Sequence, residues 1–282
     1  MYRFLRFVPK NHASYFVGRL VHMPLPQPLA TPLVRWFARA FDIDTEIAAR
    51  PIHEYPSIGA FFTRELKGGA RPIAGSIVSP VDGTLRGFGA VSDGRIEQVK
   101  GRTYSMRTFL GDDEMAASFE EGIYFNFYLS PQDYHHVHSP VEGDVVKSIH
   151  VPGRLWPVND WSLRNIENLF SINERVVTFL QTASFGLVAV VMVGATNVGK
   201  MSVTYDAFIT NTTLTGARRI EKHTYEKPHH LAAGARLGTF HMGSSVVVLF
   251  EKGRIDVACV QLAAQQKVLY GQALLRAVES RS

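Results

Sequence analysis

From Ile77 onward, short runs rich in Val, Ile and Phe alternate with turns bounded by Gly and Pro. That spacing predicts strands, because β-branched and aromatic side chains suit a pleated surface and Gly and Pro punctuate it. The longest apolar run, residues 185–195, is rich in Val and carries no charge, so it reads as a strand buried on both faces. A second run, Val246-Val247-Val248-Leu249-Phe250, follows Gly243-Ser244-Ser245. Upstream the period changes to that of a helix. Residues 33–41 and 58–66 fit it, the second after Pro56-Ser57 as a start signal. Residues 111–114 and 222–234, polar and broken by Gly or Pro, are expected to be loops. The pattern predicts an α+β protein: a mostly β-sandwich core with amphipathic helices at its N-terminus. Its expected division is a basic helical region over residues 1–66 and a β-rich core over 67–282.

One segment occurs twice. Ser79-Pro80-Val81-Asp82-Gly83 and Ser139-Pro140-Val141-Glu142-Gly143 share the pattern Ser-Pro-Val-acid-Gly, 60 residues apart. Pro is excluded from a central ladder and Gly permits a positive φ, so each copy predicts a corner between strands. Two such corners suggest a duplicated hairpin unit.

Three of the chain's 11 histidines fall within four positions, at His135, His136 and His138. On a strand His136 and His138 share one face and His135 takes the other. A His-x-His pair also suits zinc, and that reading stays open here. Against it, Cys259 is the only cysteine and no His-Glu-x-x-His helix supplies further ligands. No metal is expected. The order Asp82, His138, Ser244 allows a triad in which the imidazole takes the serine proton and the acid holds its tautomer. Met242-Gly243-Ser244-Ser245-Val246 is not the nucleophile elbow of a conventional hydrolase. Glycine does let a neighbouring hydroxyl approach its own carbonyl carbon, so Ser244 is placed to attack the carbonyl of Gly243.

Charge changes the picture at one end only. The chain carries 30 Lys plus Arg against 25 acids. Six of those cations, Arg3, Arg6, Lys10, Arg19, Arg35 and Arg39, precede the first acid, Asp42, and lie among seven aromatics. Cations with aromatics fit a helix lying on an anionic bilayer, each cation being worth about 1 kcal/mol there. Nucleic acid is not the expected partner. Pro24, Pro26, Pro28 and Pro32 interrupt the segment, and no apolar run approaches the roughly 20 residues of a membrane span. A lone cysteine and no apparent export signal point to the cytoplasmic face of the membrane.

Several ordered motifs together resemble a known family. They are Phe61-Phe62-Thr63-Arg64-Glu65-Leu66, Ser79-Pro80-Val81-Asp82-Gly83, the run from Tyr128 through Ser130-Pro131-Gln132-Asp133-Tyr134 to His138, Val151-Pro152-Gly153, Asn173-Glu174-Arg175-Val176, Val193-Gly194-Ala195-Thr196 and Gly243-Ser244-Ser245. In these the chain resembles the bacterial, pyruvoyl-dependent, self-processing phosphatidylserine decarboxylases, over most of its length.

The resemblance implies that Ser244 attacks Gly243, with His138 as base and Asp82 orienting it. It implies cleavage into a 243-residue β chain and a 39-residue α chain that stay together, with further self-association left open. The cofactor would be a covalent pyruvoyl group made from Ser244, forming a Schiff base with the amine of phosphatidylserine, and His135 would assist decarboxylation and reprotonation. Met242 and Ser245 stand where many members have Leu and Thr, which keeps an apolar flank and a hydroxyl. His136 stands where Arg is more usual and is given a structural or head-group-facing role. Two other classes remain: a zinc hydrolase using His136 and His138, which predicts an intact chain, and a carrier module built on the duplicated corners.

Overall fold

In a computed structural model the described residues are 10–196, 200–210, 219–241 and 245–276. Helices α1 (Lys10–His22), α2 (Gln27–Ala40) and α3 (Ile58–Phe62) come first. Strands β1 (Gly83–Ala90), β2 (Arg95–Val99) and β3 (Arg102–Ser105) follow, then α4 (Met106–Leu110), α5 (Asp113–Ala117), β4 (Ile123–Tyr128), β5 (His136–His138) and β6 (Gly143–Val151). The rest are α6 (Asp160–Asn165), α7 (Leu169–Ile172), β7 (Arg175–Thr182), β8 (Gly186–Val193), β9 (Met201–Val203), β10 (Glu221–Leu231), β11 (Arg236–Phe240), β12 (Ser245–Phe250) and β13 (Gln266–Val268).

An eight-stranded antiparallel sheet runs β10-β6-β7-β8-β12-β4-β1-β13, and a three-stranded sheet runs β5-β11-β9. The small sheet covers one face of the large one, with Val137, Leu237, Phe240 and Met201 packed against Phe127, Val190, Val246 and Val248. The β2–β3 hairpin and short helices cover the other face, with Tyr104, Phe109 and Phe170 packed against Val191, Val247 and Leu249. This double cover explains the unbroken apolar runs. Every residue of β8 and β12 is buried, and alternate side chains enter opposite cores. The expected sandwich-rich α+β fold is the one observed.

The duplicated corner is real, and its hydrogen bonds repeat. Ser79 Oγ donates to the Val81 carbonyl at 2.8 Å, and Ser139 Oγ to that of Val141 at 2.7 Å. The copies also bond to each other reciprocally, Val78 N to the Pro80-equivalent carbonyl of Pro140 and His138 N to that of Pro80. Each leads into a strand of the large sheet, β1 or β6. The glycine's role is not the expected positive φ, which neither Gly83 nor Gly143 has. A Cβ on Gly83 would lie 2.5 Å from the Tyr128 carbonyl oxygen, and one on Gly143 2.9 Å from that of Gln181. Close backbone approach is what demands glycine there. The positive φ belongs to Gly234 and Gly271, whose N–H groups donate to the carbonyls of Ser139 and Ser79.

Three local expectations need correction. Residues 221–231 form the edge strand β10, paired with β6 across a register shift between Thr224 and His229 that accommodates Pro228. Residues 111–114 are no plain loop, because Gly111 closes α4 in the left-handed region and Asp112 caps α5. The helix expected at 33–41 begins at Gln27, with Pro28 in its first turn and Pro32 inside it. The start at Ser57 stands, its side chain accepting from Ala60 N at 3.1 Å, but the helix expected to reach Leu66 ends at Phe62.

Helix α2 presents two apolar faces. Val34, Phe37 and Ala38 pack on Tyr55, Phe61 and Phe62, whereas Leu29, Leu33 and Trp36 face outward. With Phe16, Leu20, Met23 and Phe41 they gather most of the exposed large apolar side chains among the described residues. No helix of the described residues is long and apolar enough to cross a membrane.

Candidate active site

Met242, Gly243 and Ser244 lie outside the described residues, but the chain on both sides of them is held in place. Strand β11 runs beside β5, with Arg236 opposite His138 and Thr239 opposite His136. Just beyond, Phe240 N donates to the His135 carbonyl at 3.0 Å. His241 N donates to the Lys200 carbonyl, and its Nε2 lies 3.1 Å from Ser202 Oγ. On the far side Ser245 opens β12, paired with Tyr128 and Val193. The strand that pairs with the histidines therefore ends at Phe240, and the next strand, β12, begins at Ser245.

The three histidines are all buried and hydrogen-bonded differently. His138 Nδ1 lies 2.7 Å from the Gly234 carbonyl, which can only accept, so the proton is on Nδ1. Its Nε2 keeps a lone pair and has no partner among the described residues. Burial pushes its pKa down to about 4, against the opposing Gly234 bond, so the ring is neutral at pH 7. His135 has the same arrangement, Nδ1–H donating to the Asp133 carbonyl at 2.8 Å and Nε2 unpartnered. Burial, then the nearby Arg64 cation, holds its pKa well below the ordinary value. The Phe62 ring lies 3.8 Å away.

His136 differs from both. Its Nε2–H donates to the Thr63 carbonyl at 3.1 Å, and its Nδ1 accepts from Thr239 Oγ1 at 2.7 Å. Neither nitrogen has a lone pair left for a proton or a metal, so this histidine joins the segment after α3 to β11. The faces separate as the alternation requires: His136 and His138 both lie beside Tyr134, and His135 against Phe62.

The expected Asp82–His138 hydrogen bond is not formed. Asp82 accepts from Arg71 Nε at 3.1 Å, from Arg71 Nη2 at 2.7 Å and from Tyr270 N at 2.8 Å. The Tyr270 ring in turn stacks on His138 at 3.9 Å, nearly parallel at 5°. The Nδ1–H of His138 is held by a backbone carbonyl, and Asp82 is linked to the ring through Tyr270. A short carboxylate cannot reach an imidazole whose Nδ1 already bonds the Gly234 corner.

Two positioning residues escaped the sequence reading. Asp133 Oδ2 accepts from both Ser130 N and Ser130 Oγ at 2.7 Å, which fixes the turn that aims the carbonyl at His135. Tyr270 was unremarked. Its signal was a second repeat, Gly234-Ala235-Arg236-Leu237 against Gly271-Gln272-Ala273-Leu274, which carries the partners of the two corners.

Among the described residues no group of three or more His, Cys, Asp or Glu could hold a metal ion. What the site offers is two neutral imidazoles, each with its proton fixed on Nδ1 and an Nε2 without a partner among the described residues. That arrangement suits proton transfer at two places.

Residues 58–276 match the family model described as phosphatidylserine decarboxylase. The chain is 44% identical over 253 residues to a phosphatidylserine decarboxylase proenzyme of Anaeromyxobacter sp. (strain K), covering 89% of each. It is 40% identical over 256 residues to the one of Myxococcus xanthus (strain DK1622), covering 90% of each. With that of Brevibacillus brevis it shares 37% over 271 residues, covering 95% of this chain and 94% of the relative.

Proposed function

This chain belongs to the phosphatidylserine decarboxylase family, and from that premise we propose that it cuts itself between Gly243 and Ser244 and then converts phosphatidylserine to phosphatidylethanolamine and CO2. The observation that carries the proposal is the Nε2 left without a partner among the described residues on each of two buried, neutral histidines, on a strand paired with β11, which ends four residues before Ser244 in the sequence. In the cut, Ser244 Oγ attacks the Gly243 carbonyl carbon and its proton passes to His138 Nε2. The same proton goes on to the departing amide nitrogen, so the peptide C–N bond breaks and an ester forms. Loss of the α-proton of residue 244, with departure of the Gly243 carboxylate, leaves dehydroalanine. Water then displaces its nitrogen as ammonia and a pyruvoyl group remains.

The neighbourhood fits such a group. Nε2 of His135, Nε2 of His138 and Oγ of Ser245 are buried without partners among the described residues, at a cost of about 1–3 kcal/mol each that a polar group there would offset. A pyruvoyl group supplies conjugated carbonyls that accept the electron pair left when CO2 departs. His135 handles the accompanying proton. Its Nε2 takes a proton from the substrate ammonium and returns it to the α-carbon after CO2 has left. A depressed pKa makes the transient imidazolium a ready donor.

After cleavage the two chains stay together as a heterodimer. The small chain contributes β12, which lies between β8 and β4 in the large sheet, and it cannot leave without breaking two ladders. Residues 67–282 form the decarboxylase core and residues 1–66 the membrane-associating region. Supporting this, the outward apolar face of α2 lies beside exposed Arg35 and Arg39, which suits peripheral docking on an anionic bilayer. The substrate stays in that bilayer, on the cytoplasmic face.

CO2 release from carboxyl-labelled phosphatidylserine, with a denaturing gel beside it, tests the reading. The parent is expected to run as two chains and release label, and Ser244→Ala to remain one chain and release none. His135→Ala should process yet lose about 10²–10⁴-fold in turnover. A cleaved Ser244→Ala, or a fully active His135→Ala, would overturn it.

A further inference from the structure

Arg64 is a buried cation with no carboxylate in salt-bridge contact among the described residues. It follows α3 and is 2% exposed. Its Nη2 donates to the carbonyls of Gln132 at 3.0 Å and Asp133 at 3.5 Å. The Asp133 carbonyl also takes the Nδ1–H of His135, so guanidinium and imidazole share one acceptor. Nε and Nη1 of Arg64 are buried with no partner, and no carboxylate pairs with it among the described residues. A cation out of water with no carboxylate beside it is expensive, and an arriving anion would offset part of that cost. Neighbouring cations are already engaged: Arg71 with Asp82, Lys267 with Asp133 and Arg236 with Glu65.

Resting on the decarboxylase reading, we propose that Arg64 anchors the phosphodiester of the substrate head group. That head group carries two anions, a carboxylate and a phosphodiester. As the carbon–carbon bond breaks, charge leaves the carboxylate, so a cation bound there would favour the ground state over the transition state. The phosphodiester keeps its charge throughout. A guanidinium on it holds the substrate without raising the barrier, and its planar fork matches two phosphate oxygens. The position also fits its neighbours, since head-group amine and phosphodiester are a short linker apart and Arg64 lies one carbonyl away from His135. Entry requires a covering side chain to yield, and the Phe62 ring over His135 belongs to the helix just before Arg64.

The product separates the two anions, because phosphatidylethanolamine keeps the phosphodiester and lacks the carboxylate. Arg64→Gln and Arg64→Lys are compared with the parent for processing on a gel, for KM and kcat with phosphatidylserine in mixed micelles, and for inhibition by short-chain phosphatidylethanolamine. Arg64→Gln should process, raise KM on the order of 10–100-fold with a much smaller fall in kcat, and weaken inhibition by a similar factor. Arg64→Lys should recover part of both. A raised KM with unchanged product inhibition would move the anchor to the carboxylate and overturn the assignment. So would unchanged KM and inhibition, or failure of both variants to process, which would make Arg64 a structural clamp. A parent that releases no CO2 from phosphatidylserine would sink the decarboxylase reading itself.

Discussion

The two Ser-Pro-Val-acid-Gly corners share a backbone and differ in what they carry. In both, the serine bonds the carbonyl two residues on, the valine is buried and the glycine is pressed against a neighbouring strand. Position by position the chemistry then diverges. The acid of the first corner, Asp82, is buried and held by Arg71 and Tyr270, whereas that of the second, Glu142, is exposed and meets only His230 at 3.5 Å. The residue before the serine is Val78 in the first corner and His138 in the second. The first corner buries its acid and packs a valine before the serine, and the second exposes its acid and buries a histidine there. The two meet through the reciprocal bonds of Val78 N to Pro140 and His138 N to Pro80.

That comparison can be broken by treating both corners alike. The largest difference is expected between His138→Ala and Val78→Ala. Losing the free Nε2 should slow self-cleavage about 10²–10⁴-fold, followed by time-resolved gels after synthesis. Val78→Ala should cost stability, about 1–2 kcal/mol, and leave cleavage intact. Equal slowing by both would mean that the corner acts through its backbone and His138 has no special role.

Next come the glycines, where the corners should behave alike. Gly83→Ala and Gly143→Ala each drive a methyl group toward a carbonyl oxygen and should destabilise by about 1–3 kcal/mol in denaturant titrations. A tolerated alanine at either would show that the close approach is not needed. The acids should differ again, by less. Asp82→Asn loses charge-assisted bonds to Arg71 and should cost about 1–3 kcal/mol and slow cleavage modestly through a loosened Tyr270. Glu142→Gln should change stability by no more than about 0.5 kcal/mol. A Glu142→Gln variant that cleaves as poorly as Asp82→Asn would erase the distinction.

The smallest effect concerns pH. His138 titrates near 4 because burial disfavours its charged form, so its base is available at any higher pH. Cleavage rates should be nearly flat from pH 5.5 to 8 and fall as pH approaches 4. Stability carries the same sign. Burial also pushes the pKa of His136 and His241 down to about 4. The unfolded chain therefore binds more protons between pH 6.5 and 4, and stability present above 6.5 should be lost through that window. A cleavage rate that halves between pH 8 and 6.5 would contradict a base of this kind.

Much of this was legible beforehand where burial dictates the residue type. The run at 185–195 announced β8 because a strand covered on both faces has no polar position, and Ser57 announced α3 through its cap. The histidines' faces followed from alternation alone. The misreadings share a cause. Strand β10 looked like a loop because an exposed edge strand buries little and its composition is free to be polar. The Asp82–His138 bond was expected from residue types, yet a hydrogen bond between segments distant in sequence depends on which backbone carbonyls the fold brings alongside. Here Gly234 reaches Nδ1. Arg64 was visible only as one letter of a motif, since an unpartnered cation is a property of its surroundings.

Intact-mass analysis of the purified parent tests the central claim most directly. The account predicts two chains, the smaller comprising residues 244–282 with its first residue converted from serine to a pyruvoyl group and hence blocked to amine labelling. A single intact chain of 282 residues that still releases CO2 from phosphatidylserine would contradict it.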